Sequence, residues 1–134
     1  MRRKNLFLIG LFALFSALLM AGCAKKVPPL NFASPMPLVK KAATKDIEAA
    51  IIRAGAITNW AIVPAGPGVM TGTLHVRGKH TAIVEIAYDQ KEFRITYKDS
   101  ANLDYGNGKI HRNYNRWVAT LEKNIRQELA LLNR

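Results

Sequence analysis

The chain has 134 residues, a formal net charge of +11 and a single cysteine, with 49% hydrophobic residues. One cysteine excludes an intramolecular disulfide framework, and this length suits one domain that buries a core without such staples. The positive charge favours anionic partners, and which anions are within reach depends on the compartment.

The compartment is legible in the first residues. Arg2, Arg3 and Lys4 precede an apolar run from Leu6 to Leu19, and Met20-Ala21-Gly22 leads into Cys23. The run is about fourteen residues long, short of the ~20 needed to span a hydrocarbon core. A basic start, a short apolar segment and small residues at its end make an export signal rather than a permanent span.

The stretch Met20-Ala21-Gly22-Cys23 resembles the bacterial lipoprotein signal, an aliphatic residue and two small residues before a cysteine, with Met20 where Leu is usual. The resemblance covers residues 1–23. It implies that residues 1–22 are a signal peptide and that Cys23 becomes the mature N-terminus, with diacylglycerol on its sulfur and an acyl chain on its amine. Ala24 stands in place of the Asp that retains enteric lipoproteins in the inner membrane, which implies a periplasm-facing outer-membrane location. Acylation also disposes of a thiol otherwise left free in an oxidising compartment. Two or more chains anchor stably where one does not. Behind such a signal nucleic acid is not an expected partner. Lipid head groups, anionic envelope polymers and acidic protein patches are.

Residues 23–42 read as the lipidated cysteine and a tether. Pro28, Pro29, Pro35 and Pro37 deny the segment a helix or a central strand. Extended at ~3 Å per residue, it would hold a domain roughly 45 Å from the lipid. Lys25 and Lys26 lie beside the anchor, where they favour anionic head groups. Val27, Leu30, Phe32 and Leu38 are too apolar for a pure spacer, so part of the tether is expected against the domain.

Residues 43–134 form the globular domain. Ala43, Ile47, Ala50, Ile51 and Ala54 recur at helical spacing, with Thr44 as the N-cap and Gly55 as the stop. Four strands follow, at Ile57–Val63, Val69–Arg77, Thr81–Tyr88 and Phe93–Lys98, joined by hairpin-length linkers. A three-residue loop Gly78-Lys79-His80 pairs Val76 with Ala82 and Leu74 with Val84, and collects the apolar residues on one face. Outward from there, Tyr88 pairs with Phe93, Ile86 with Ile95, and Trp60 falls opposite Gly72. The expected core face is Trp60, Ile62, Met70, Leu74, Val76, Ala82, Val84, Ile86, Tyr88, Phe93, Ile95 and Tyr97. Asp99 to Lys109 is a loop pinned by Leu103 and Tyr105. A last helix, Asn113 to Leu132, carries the stripe Tyr114, Trp117, Val118, Leu121, Ile125, Leu129 and Leu132. The expected architecture is a two-layer α+β domain, a four-stranded antiparallel meander with two helices on one face (α-β-β-β-β-α).

Two basic surfaces are candidate sites for an anion or a partner. The start of the last helix is ringed by Lys109, His111, Arg112 and Arg116 where acids usually stand, and free N–H groups there favour anions. The open sheet face carries His75, Arg77, Arg94 and Lys98 among threonines, with Glu85 available to pair, and such wet faces are common on antiparallel sheets. No metal site is expected, because His75 and His80 lie on a strand and in a turn rather than one helical turn apart. Ser100, Asp104 and His111 follow a Ser-Asp-His order without a nucleophile elbow, and Gly106-Asn107-Gly108-Lys109 lacks P-loop spacing.

No enzyme, cofactor or metal is therefore expected. The expectation is a lipid-anchored accessory module of the cell envelope that docks a protein partner, similar in shape to small accessory lipoproteins of outer-membrane assembly machines. The alternative is direct binding of an anionic envelope polymer or lipid head groups through the basic surface.

Overall fold

The computed structural model describes residues 25–35 and 42–134; the expected export signal and Cys23 lie outside the described residues. In chain order the elements are β1 (Lys26–Val27), β2 (Phe32–Pro35), α1 (Thr44–Ile57), β3 (Trp60–Gly66), β4 (Val69–Val76), β5 (His80–Tyr88), β6 (Glu92–Ala101), β7 (Ile110–His111) and α2 (Asn113–Leu131). The α+β class and the β3-β4-β5-β6 meander are as the apolar patterning predicts. The sheet is wider than four strands, however. Its order is β2-β6-β5-β4-β3, and β1 and β7 form a second, two-stranded sheet.

Strands β1 and β2 both come from the stretch expected to be a spacer. Phe32 pairs with Ile95 and Pro35 with Glu92, so β2 is an antiparallel edge strand on β6. Proline is tolerated there because an edge strand has one row of backbone groups that no ladder uses. Lys26 pairs with His111 and Val27 with Ile110. Val27, Leu30 and Phe32, apolar residues that made a pure spacer implausible, thus belong to a segment laid onto the domain, while Leu38 lies outside the described residues.

The register of the central hairpin differs by two residues from the expected one. Leu74 pairs with Ala82, Gly72 with Val84 and Val76 with His80. The turn closes early because Arg77 (φ 54°) and Gly78 (φ 60°) both adopt left-handed backbone, and the Lys79 N–H donates to the Val76 carbonyl at 3.1 Å. A shift of two keeps every side chain on its face, so the expected core face holds, with Val76 and Tyr97 half-buried at its margin. Tyr88 does pair with Phe93, and Ile86 with Ile95. Trp60 lies opposite Leu74 rather than Gly72, and Ile62 takes the place across from the glycine. The indole still reaches over: a Cβ at Gly72 would sit 3.4 Å from Trp60 Cε3.

β6 also runs further than expected, to Ala101. Ile83 pairs with Asp99 while Val84 pairs with Tyr97, leaving Lys98 as the extra residue of a β-bulge. Leu103 is buried and pins the following loop, with the His111 N–H donating to its carbonyl at 2.9 Å. Tyr105 is 48% exposed but stacks on Tyr97, ring centroids 4.3 Å apart.

α1 extends past its expected stop. Gly55 is buried inside the helix, and a Cβ there would lie 2.5 Å from Ile62 Cδ1 and 3.0 Å from the Trp60 carbonyl. The glycine therefore allows α1 to approach β3 closely. The helix ends instead at Thr58, whose hydroxyl donates to the Ala54 carbonyl at 2.8 Å, before Asn59 turns left-handed at φ 62°. Its N-cap is Ala43, without a side-chain bond, and not Thr44. α2 buries Tyr114, Val118, Leu121, Ile125 and Leu129, the stripe its spacing predicts, against α1 and the sheet. Each such aliphatic side chain contributes ~1.5–3 kcal/mol on burial. Arg53 and Glu128 join the two helices at 2.8 Å.

Candidate functional site

The first turn of α2 brings together one of the two predicted basic sets and enlarges it. The Arg112 N–H donates to the Lys25 carbonyl at 3.3 Å, and Lys26 lies opposite His111 in the β1–β7 ladder. Asn115, in the same turn, holds the incoming chain from both sides. Its Nδ2 donates to the Pro28 carbonyl at 2.9 Å, and its Oδ1 accepts the Leu30 N–H at 2.8 Å. Asn31 continues the strap by accepting the Tyr97 N–H at 3.1 Å. Lys109 arrives from the other direction, on a tight hairpin where Asn107 (φ 52°) and Gly108 (φ 68°) are left-handed and Gly106 and Lys109 exchange backbone bonds at 2.9 and 3.0 Å. Asn-Gly suits such a turn because both residues tolerate positive φ.

The result is an end of the molecule carrying Lys25, Lys26, Lys109, Arg112 and Arg116, all exposed, with His111 half-buried among them. None of the five Lys and Arg residues makes an ion pair among the described residues. The nearest acid in the surrounding loop is Asp104, and the first on α2 is Glu122, which pairs with Arg126 one turn along. The α2 N-terminus is itself partly satisfied, since the Asn113 N–H donates to His111 Nδ1 at 3.2 Å. Tyr105 and Leu30, 48% and 40% exposed, add apolar surface at the same end. The sequence pattern marks Lys109, His111, Arg112 and Arg116 but not their union with Lys25 and Lys26, because the pairing of β1 with β7 joins residues more than eighty positions apart.

Beneath this surface lies a tyrosine cluster. Tyr97 meets Tyr114 edge to face at 5.6 Å, and the Tyr97 hydroxyl is 3.0 Å from Ser100 Oγ. Tyr114 is fully buried, its hydroxyl has no hydrogen-bond partner among the described residues, and burial pushes its pKa far up. Ser100 is thereby engaged with Tyr97, and no bond links it to Asp104 or His111.

The second predicted set is not brought together. Arg77 sits in the β4–β5 turn and not on the sheet face. Arg94 is paired with Glu92 at 2.6 Å. Lys98 reaches across β5 to Thr71 Oγ1 at 3.2 Å, and His75 Nδ1 is 3.0 Å from Thr81 Oγ1. Glu85 makes no ion pair among the described residues. The open face is thus a polar ladder whose cations are dispersed or neutralised.

Among the described residues, no three His, Cys, Asp or Glu side chains gather as metal ligands would, and no helix is long and apolar enough to cross a membrane. No protein-family model, curated protein or solved structure matches the chain.

Proposed function

We propose that this is a lipid-anchored, non-catalytic module of the bacterial outer membrane whose basic end lies directly on anionic head groups. The observation that carries this is the position of Lys25. It is built into the domain through the Arg112 N–H, two residues after Cys23. Two residues span at most about 7 Å. That is inside the Debye length of ~8 Å at physiological ionic strength, whereas a spacer of some 45 Å would put the cations beyond it. Near an anionic leaflet a Lys or Arg contributes ~1 kcal/mol. Tyr105 and Leu30 suit the interfacial region, where an aromatic ring has one wet and one apolar edge.

The test is co-sedimentation of the unacylated chain from residue 24 with vesicles. Binding is expected to phosphatidylglycerol-containing vesicles and not to pure phosphatidylcholine. It should fall steeply as salt rises from ~0.05 to ~0.5 M and be lost in Lys109→Glu/Arg112→Glu. Equal binding to both lipids, or binding indifferent to the double substitution, contradicts the reading.

Docking of a protein partner, the other reading, is favoured by the β3 edge. One side of β3 pairs with no strand among the described residues, and Val63 beside it is 55% exposed. An exposed edge is a template for a further strand. The two readings are compatible, since a domain held at the lipid by one end leaves the β3 edge free. Cross-linking from a photoreactive residue at position 63 in the native envelope tests it: one specific adduct supports docking, and no adduct opposes it.

A further inference from the structure

A groove along α2 has no part in the membrane reading. It consists of two cavities, about 350 Å³ and about 200 Å³, and Trp117 lines both. The larger is rimmed by Asn59, Thr120 and Asn124 above Trp60 and Leu74. The smaller is walled by Arg77, His80 and Asn113. No carboxylate lines either one.

The polar groups present a mixed set of donors and acceptors. The side chains of Asn59 and Arg77 have no partner among the described residues. Asn124 uses Nδ2 on the Thr120 carbonyl at 2.8 Å, which leaves its Oδ1 to accept. His80 Nδ1 is 2.7 Å from the Asn102 carbonyl. A carbonyl only accepts, so Nδ1 carries the hydrogen, and in the neutral ring Nε2 is an acceptor.

Arg77 is the second, independent observation. Five non-glycine residues have left-handed φ among the described residues; four are Asn or Asp, and Arg77 is the fifth. The hairpin tip at Asn107-Gly108 uses the residue pair such a turn favours, whereas Arg77-Gly78 puts a long cation where Asn is the natural choice. Strained backbone of this kind clusters at ligand-binding sites.

We infer that the groove binds a sugar ring carrying one negative group, with the ring on the half-buried Trp117 indole and the carboxylate or phosphate on Arg77. An indole face matches the apolar face of a pyranose, and amides and an imidazole match its hydroxyls. A guanidinium takes a carboxylate or phosphate through two parallel bonds. A cationic ligand would find no counter-charge here, and a wholly apolar one would leave the polar rim unpaired.

The test is NMR titration of the whole mature protein in detergent micelles, following the indole N–H of Trp117 against the backbone N–H of Arg94, which lines neither cavity. Two acidic probes separate possible sources: the N-acetylglucosamine–N-acetylmuramic acid disaccharide for a wall polymer, and N-acetylglucosamine 1-phosphate for a sugar-phosphate head group. The neutral control is di-N-acetylchitobiose, and the ion control is inorganic phosphate. At least one acidic sugar should shift Trp117 at millimolar concentration and bind tenfold or more tightly than the neutral disaccharide. Arg77→Asn, which suits the turn and should raise Tm, is expected to remove that tenfold preference. Trp117→Phe should weaken every sugar. Lys109→Glu/Arg112→Glu, which disables the basic end, should leave binding of the neutral disaccharide unchanged, so the two proposals fail separately. No Trp117 shift with any sugar, phosphate alone binding as well as the sugars, or an acidic preference that survives Arg77→Asn would each overturn the inference.

Discussion

The Asn115 side chain grips the N-terminal strap from both sides, donating to the Pro28 carbonyl at 2.9 Å and accepting from the Leu30 N–H at 2.8 Å. The first turn of α2 and the first described residues of the chain are therefore one structural unit. Asn115→Ala removes both bonds at once. At ~0.5–1.5 kcal/mol net for each bond, the expected loss is ~1–3 kcal/mol. Urea denaturation measures the total. Hydrogen exchange should show the Leu30 amide, and the Tyr97 amide held by Asn31, losing protection before the rest of the sheet.

Gly55 gives an opposite sign from helix propensity. In a helix interior Ala is favoured over Gly by ~1 kcal/mol. Here the added methyl meets Ile62 Cδ1 at 2.5 Å and the Trp60 carbonyl at 3.0 Å. Overpacking costs ~1–3 kcal/mol. A side-chain tip can move but the carbonyl cannot, so Gly55→Ala is expected to destabilise. Adding Ile62→Val, which removes the Cδ1 methyl, should recover part of the loss. A Gly55→Ala variant more stable than the parent would mean that α1 does not approach β3 this closely.

Tyr114→Phe is expected to stabilise, or at least not to destabilise. The hydroxyl is buried without a partner, and such a group carries a desolvation penalty of ~1–3 kcal/mol. The ring contact with Tyr97 survives the change. A thermal melt that falls by several degrees would indicate that the hydroxyl has a partner in solution, an internal water being the simplest.

Stability should decline at alkaline pH. Tyr88 is buried and donates to Glu48 Oε1 at 2.6 Å. Burial, then that bond and the Glu48 charge, raise its pKa from 10.0 to about 12. Between those values the folded state keeps a proton that the unfolded state has lost. The stabilisation is therefore complete below pH 10 and is lost as pH rises through about 12. Tyr97 and Tyr114 are shifted in the same direction, chiefly by burial, and steepen the decline. Denaturation midpoints across this range should fall more gently in Tyr88→Phe than in the parent.

Much of the sheet and both helices were legible in the sequence because burial on one face leaves a period that cannot slip by one residue. The same logic explains the error of two in the β4–β5 register: parity is blind to it, and only the left-handed Arg77 fixes the turn. Gly55 looked like a helix stop because a glycine after an apolar stripe usually is one. Its actual reason, contact with Ile62, depends on how two elements pack. The strap at Lys25–Pro35 was obscured by its prolines, which exclude a central strand but not an edge. For the basic end, the α2 half was visible as cations where acids belong. The Lys25 and Lys26 half appears only once β1 is paired with β7.

The proposed contact of the basic end with a lipid surface requires an acylated Cys23, because only an anchor two residues from Lys25 would hold that end at the head groups. Intact-mass analysis of the protein from the membrane fraction of its native host tests this directly. The expected product is a chain beginning at Cys23 with a diacylglyceryl group and a further acyl chain. A chain beginning at any other residue, or one starting at Cys23 without acyl groups, would contradict it.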